Sequence, residues 1–128
     1  FRKWAEEGEE TRPVTHSFES FPLDRWQEWA DGVWMDTRET DVLNAERDPR
    51  DEKHICPLQL QTIERAIHLW TNEGDTVLEP FGGIGSVPFK ALQMKRKAVM
   101  FELKKSYFDV ACRNVKSAET AKAQLQLF

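Results

Sequence analysis

The sequence predicts an α/β fold, a small parallel sheet flanked by helices, centred on residues 53–117. Three observations carry this. Two short apolar runs, Thr76-Val77-Leu78 and Ala98-Val99-Met100-Phe101, read as buried strands. A glycine-rich turn at Gly82, Gly83 and Gly85, followed by a helical stretch, separates them. Amphipathic helices stand at both ends of the unit. Strand, turn, helix and strand in that order form a βαβ unit, whose strands are parallel and whose crossover is right-handed.

Composition supports this division. The chain has 128 residues, enough for one domain. Leu, Ile, Val and Phe total 30, just above the level at which disorder becomes the default. Residues 1–52 hold 8 of them and residues 53–128 hold 22. Charge divides at the same place. The front has 15 acids against 7 bases, and the back has 7 acids against 11 bases. The front is therefore acidic and core-poor, and the back mildly basic and core-rich. None of the three Met opens the chain, which starts on Phe1, so a piece of a longer protein is expected.

Several classes fall away. No apolar run approaches the roughly 18 residues of a membrane span, so no membrane partner is expected. No basic-then-apolar start marks a signal peptide. Cys56 and Cys112 lie far apart without a Cys-x-x-Cys pattern. That argues against a disulfide scaffold or structural zinc, and for free thiols in a reducing cytoplasm.

The elements follow in order. Residues 1–20 are polar, with Glu6, Glu7, Glu9 and Glu10 close together, and read as a solvated tail or exposed helix. Four of the five Trp lie in the first 34 residues. Trp26 and Trp29 suit one face of a short helix opened by Pro22 and Asp24. Aromatics this dense need a surface to cover, either the back half or a missing partner. Gly32-Val33-Trp34-Met35 reads as a short strand, and residues 44–53 as a loop. Leu60, Ile63, Ala66, Ile67 and Trp70 follow helical spacing. Asn72-Glu73-Gly74 is a stop signal, with Gly74 able to turn left-handed. A helix runs from about Gly85 to Gln93, with Pro88 tolerable in its first turn. The second strand ends at Glu102. Tyr107, Phe108, Ala111, Cys112 and Val115 fit a third helix, and residues 118–128 form a tail.

The stretch Leu78-Glu79-Pro80-Phe81-Gly82-Gly83-Ile84-Gly85-Ser86 carries the chemistry. Glycine permits a tight turn and lets a ligand approach the backbone. The helix that follows offers N–H groups and a positive dipole end. Glu102, 23 residues beyond Glu79, can accept both ribose hydroxyls of an adenosine. Position 88 is Pro, so Gly-x-Gly-x-x-Gly is not met, and no Gly-Lys-Ser/Thr makes a P-loop. An acid at position 79 does not suit a phosphate. It suits a ligand with a cationic part, such as S-adenosylmethionine.

This stretch resembles the adenosylmethionine motif Asp-Pro-Phe-x-Gly-Ser-Gly-Thr of DNA amino-methyltransferases. Lys53-His54-Ile55-Cys56-Pro57, with the helix through Ile63-Glu64-Arg65-Ala66-Ile67, resembles their Lys-His-Pro-Thr-Gln-Lys-Pro segment. Phe101-Glu102-Leu103 with Tyr107-Phe108 resembles their third segment. The likeness is to the circularly permuted (beta-group) site-specific methylases of phage and prophage, akin to those of restriction-modification systems. In these the catalytic half comes first. The resemblance implies a partial Rossmann-like methyltransferase fold. It implies a cofactor site made of His54, Ile55, Cys56, Glu79, Pro80, Phe81, Gly82, Gly83, Gly85, Ser86, Glu102 and Leu103. Residues 1–52 become a connecting segment and residues 53–117 the donor-binding unit.

There are departures. Glu79 stands for Asp, Ile84 for Ser, Ile55-Cys56-Pro57 for Pro-Thr-Gln, and Met100 for Gly. The catalytic Asp/Asn/Ser-Pro-Pro-Tyr/Phe motif is missing. Only Asp48-Pro49-Arg50 comes near it, without a second Pro or an aromatic. By family order the catalytic residues, which hold a flipped base, lie before Phe1. No catalytic residue and no metal ligand is therefore assigned in this chain. The expected function is adenosylmethionine binding within a DNA (adenine-N6 or cytosine-N4) methyltransferase. One alternative is a non-catalytic module that pairs with a catalytic chain, and another is a nucleotide-binding oxidoreductase fragment.

Double-stranded DNA is the expected partner of the intact enzyme. Lys90, Lys95, Arg96, Lys97, Lys104 and Lys105 are candidate phosphate contacts, or else a solvated helix end and loop. Gln124-Leu125-Gln126-Leu127-Phe128 resembles a peptide that docks on the replication sliding clamp; packing on its own domain, or disorder, is the competing reading. Open sheet edges make a homo-oligomer possible.

Overall fold

The computed structural model describes residues 13–43 and 56–125. The elements are α1 (Leu23–Ala30), α2 (Leu60–Trp70), β1 (Thr76–Glu79), α3 (Ser86–Gln93), β2 (Lys97–Met100) and α4 (Lys105–Leu125). The α/β class and the βαβ order are as the sequence predicts. β1 and β2 pair in parallel, with Val77 beside Ala98 and Leu78 beside Val99. No described helix is long and apolar enough to cross a membrane.

The core lies between α2, α3 and one face of the sheet. Ile63 and Ile67 of α2 bury against Ala91 of α3, with Val77 and Ala98 rising from the strands and Leu60, Val87 and Met94 closing the edges. Successive strand residues point to opposite faces. Leu78 and Val99 therefore lie on the other face, where they are 63% and 47% exposed. α3 packs on α2, α4 and both strands. Among the described residues, the sheet is covered on one side only.

α2 starts at Leu60 without a capping side chain of its own at Gln59. Asp41 supplies the cap from twenty residues away. Its carbonyl accepts the Leu60 N–H at 2.7 Å, and its Oδ2 accepts the Gln61 N–H at 2.8 Å. These are two of the donors that every helix N-terminus leaves unpaired.

The front aromatics cover α2. Arg65, 1% exposed, lies with its guanidinium 5.7 Å from the Trp29 ring centre and 5.2 Å from that of Trp34. Asp36 receives it in a two-pronged pair, with Nη1 donating to Oδ1 at 2.9 Å and Nη2 donating to Oδ2. The Arg65 hydrogen bonds hold the Asp36 carboxyl below the usual range, and Asp36 in turn raises Arg65. One turn further along α2, the His68 ring stacks on that of His16 at 4.4 Å, and Phe21 and Trp29 meet His68 edge-on. The Thr15 N–H donates to Asn72 Oδ1, and Asn72 Nδ2 donates to the Pro13 carbonyl, both at 2.9 Å.

Four expectations change. Residues 13–16 are docked on the end of α2 rather than solvated, because Asn72 and the imidazole stack hold them. Gly32-Val33-Trp34-Met35 is not a strand. Val33 and Met35 are exposed, and the Trp34 indole N–H donates to the Trp29 carbonyl at 3.1 Å, folding the segment back on α1. β2 ends at Met100, two residues before Glu102. Finally, α4 continues to Leu125 and takes up most of the expected tail. Alanines favour a helix there, and Ala118 is buried. The loop expected at 44–53 lies outside the described residues.

The imidazole stack predicts a pH dependence. Burial is the main cause lowering both histidines below their ordinary value; Arg96 also lowers both, and His16 lowers His68. The His68 backbone raises His16 and Glu64 raises His68, in smaller measure. A depressed histidine disfavours protons in the fold, so stability is full above the unfolded value near 6.5 and falls as the pH drops through the folded values. Urea midpoints followed by tryptophan fluorescence should fall between pH 7.5 and pH 5. A His16→Phe, His68→Phe double variant should flatten that fall.

Candidate functional site

The carboxyl ends of β1 and β2 lie side by side, and the glycine turn leaves from them. The Phe101 N–H donates to the Glu79 carbonyl at 3.0 Å, carrying the parallel pairing one step past β2. The Gly82 N–H donates to the Phe101 carbonyl at 2.8 Å, and the Gly85 N–H donates to the Gly82 carbonyl at 2.8 Å. The turn is thus tied to the second strand and closed on itself.

Gly85 is the N-cap of α3, at φ +85°. L side chains seldom adopt that conformation. A Cβ there would also lie 3.0 Å from the Ala111 Cβ and 3.1 Å from the Ala111 Cα. Ala111 is fully buried on α4. A small residue on each side lets α4 touch the turn. Asn114, one turn further on α4, donates to the Ile84 carbonyl at 2.8 Å. Ile84 and Ser86 are buried, and Phe81 at the tip is 87% exposed.

Two carboxylates flank the turn. Glu79 Oε1 accepts the Phe81 N–H at 2.8 Å. Glu102 Oε2 accepts the Gly83 N–H at 2.7 Å, and its Oε1 accepts the Lys104 N–H at 2.8 Å. Glu79 closes β1, Glu102 stands two residues past β2, and the turn they hold leads into α3. The arrangement joins two acceptors of hydroxyl or ammonium groups to a helix N-terminus that favours an anionic group.

The structure places Glu79, Pro80, Phe81, Gly82, Gly83, Gly85, Ser86 and Glu102 in one turn region. Leu103 follows Glu102 and is fully exposed. Cys56 is exposed ahead of α2. His54 and Ile55 lie outside the described residues, as does the Asp48-Pro49-Arg50 segment. Among the described residues no group of histidine, cysteine and acids could hold a metal ion.

The basic cluster disperses. Lys90 pairs with Glu64 at 2.8 Å, Lys95 with Glu73 at 3.1 Å, and Lys105 with Asp109 at 2.8 Å. Arg96 is buried and donates to the Thr71 carbonyl at 2.8 Å and to the Met94 carbonyl at 2.6 Å. Lys104 Nζ lies 4.1 Å from the Tyr107 ring centre. Lys97 stands on the bare sheet face. Gln124 and Leu125 of the clamp-like peptide are wound into α4, and residues 126–128 lie outside the described residues.

Sequence reasoning missed Ala111 and Asn114 as supports of the turn. Their signal is present, since Ala111, Asn114 and Ala118 recur at helical spacing on one face of α4. Gly85→Ala should lower stability by about 2–4 kcal/mol, adding backbone strain to overpacking against Ala111. Chemical denaturation checks this, and a paired Ala111→Gly change should not rescue the loss, because the Ala111 Cα remains 3.1 Å from the new Cβ and glycine weakens α4.

Residues 2–113 match a family model described as DNA methylase, N6_N4_Mtase. The type II methyltransferase M.BamHI of Bacillus amyloliquefaciens is 32% identical over 72 residues, 56% of this chain and 17% of that protein. M.BglI of Bacillus subtilis is 30% identical over 95 residues, 73% of this chain and 25% of that protein. The chain thus spans a quarter or less of the length of these two relatives. TTHA0409 of Thermus thermophilus, solved as a complex with S-adenosyl-L-methionine, superposes with a TM-score of 0.61 at 22% identity, over 87% of this chain and 40% of that one. That likeness establishes the shared α/β fold, and the family match over most of the chain establishes descent: the chain belongs to the N6/N4 DNA methylase family.

Proposed function

We propose that this chain is the adenosylmethionine-binding portion of a DNA methyltransferase that modifies adenine N6 or cytosine N4. The observation that carries the reading is the pairing of two carboxylates with one glycine turn at the carboxyl ends of parallel strands. Open α/β sheets bind ligands at that end. The donor set fits adenosylmethionine. Glu102 is placed to accept ribose hydroxyls, and Glu79 offers a counter-charge to a cationic end. The α3 N-terminus offers N–H groups to a carboxylate. A pyrophosphate would meet the Glu79 charge instead.

Adenosylmethionine, when bound, supplies an activated methyl group. This chain's own residues bind and orient it, and that positioning lowers the barrier before any bond changes. The catalytic Pro-Pro-Tyr-type motif is absent from this sequence. In this reading the chain is the C-terminal part of a circularly permuted, phage-type enzyme. Residues 53–117 are the donor-binding unit, and residues 1–52 connect it to the catalytic half. Exposure of Leu78 and Val99 supports the reading, because parallel sheets are normally buried on both faces. Double-stranded DNA is then the substrate of the whole enzyme, acting in the bacterial cytoplasm.

Calorimetry separates this reading from a nicotinamide-cofactor fragment. Adenosylmethionine should bind the 128-residue chain in the micromolar range or better, about −8 kcal/mol at 1 μM. NAD should give no measurable heat. Tight NAD binding with no response to adenosylmethionine would overturn the assignment.

A further inference from the structure

The Glu102 carboxylate accepts two backbone N–H groups, one on each oxygen. Oε2 holds the Gly83 N–H at 2.7 Å and Oε1 holds the Lys104 N–H at 2.8 Å. The first bond ties the glycine turn to the end of β2, and the second fixes the carboxylate plane against its own backbone. We propose that Glu102 is a positioning residue as well as a ligand acceptor. It holds the turn in its binding shape in the ligand-free protein, and ligand hydroxyls add to its two hydrogen bonds without displacing them.

Gly83 is the place where such a tie matters. It sits at φ +52°, and a Cβ built on it would meet nothing within 4 Å. Gly85 is held against Ala111, and Gly82 is tied to the Phe101 carbonyl. Gly83 has no comparable packing, and glycine has the largest backbone freedom to lose. A charge-assisted hydrogen bond from a carboxylate to a backbone N–H is short and strong among its kind. The 2.7 Å contact at Gly83 is of that sort.

Acceptor capacity decides between addition and displacement. Each carboxylate oxygen can accept two hydrogen bonds. Gly83 and Lys104 use one on each oxygen, which leaves one on each for a pair of vicinal hydroxyls. A ligand that joins a preformed set avoids the cost of ordering the turn. The same carboxylate then sets both the shape of the turn and the recognition of the sugar. The identity of the ligand rests on the function proposed above; the tie within the ligand-free protein does not.

Amide hydrogen exchange by NMR on the full 128-residue chain tests this. In the ligand-free wild type the Gly83 amide should exchange at least ten-fold more slowly than an unprotected glycine, and an unprotected rate overturns the proposal without any variant. In Glu102→Ala both Gly83 and Lys104 should lose that protection while the Ala91 amide in the core keeps its own. In Glu102→Gln, which has one carbonyl oxygen, only one of the two should lose it. Equal Gly83 protection in wild type and in Glu102→Ala overturns the positioning role. Saturating adenosylmethionine should leave Gly83 protection undiminished in the wild type; a ten-fold loss on saturation overturns addition in favour of displacement. Absence of any adenosylmethionine binding defeats the functional assignment and leaves the ligand-free comparison to be judged by itself.

Discussion

The contact between Gly85 and Ala111 is the constraint on which the site depends. A Cβ at position 85 would crowd Ala111, 3.0 Å from its Cβ and 3.1 Å from its Cα, on a backbone at φ +85° that L side chains seldom adopt. That closeness lets α4 lie against the turn, and Asn114 then reaches the Ile84 carbonyl. With α4 in place, the start of α3 is fixed relative to the strand ends. Glu79 and Glu102 face a turn whose shape is set from behind. The exposed side can therefore be built from backbone and two acids, with little packing of its own.

A second constraint attaches the acidic front. Arg65 is the largest fully buried side chain among the described residues. A buried guanidinium is costly unless it is paired and well hydrogen-bonded. Asp36 provides the pair, and the Trp29 and Trp34 rings provide the favourable faces. The front cannot leave α2 without stranding that charge or bringing water to it. Asp41 acts in the same direction by capping α2. The acidic character of the front thus has a local use, since two of its acids complete a helix in the back half.

What the sequence revealed depends on the range of each interaction. The βαβ unit was legible because helical and strand periodicities are local, and because Gly82, Gly83 and Gly85 punctuate them. The turn residues and Glu102 followed from the same local order. The Arg65–Asp36 pair, the His16–His68 stack and the Asp41 cap were not legible. Each joins residues some twenty or more apart in the chain, and nothing in a window of neighbours announces it. The local partners of the basic residues were not legible for a related reason. Lys90, Lys95 and Lys105 are close in sequence, yet each finds its own acid, and Arg96 turns inward to cap the end of α2. The reading of residues 32–35 as a strand failed because periodicity counts apolar residues and does not supply a partner strand.

The central claim is that the glycine turn and the two strand-end acids form one binding site for adenosylmethionine. Backbone chemical-shift mapping during an adenosylmethionine titration tests it most directly. The account predicts that the largest changes fall on Glu79–Ser86 and Phe101–Leu103, with the amides of α1 and of the His16–His68 region unmoved. Changes centred on residues 13–16 and Asn72, with the glycine turn silent, would contradict it.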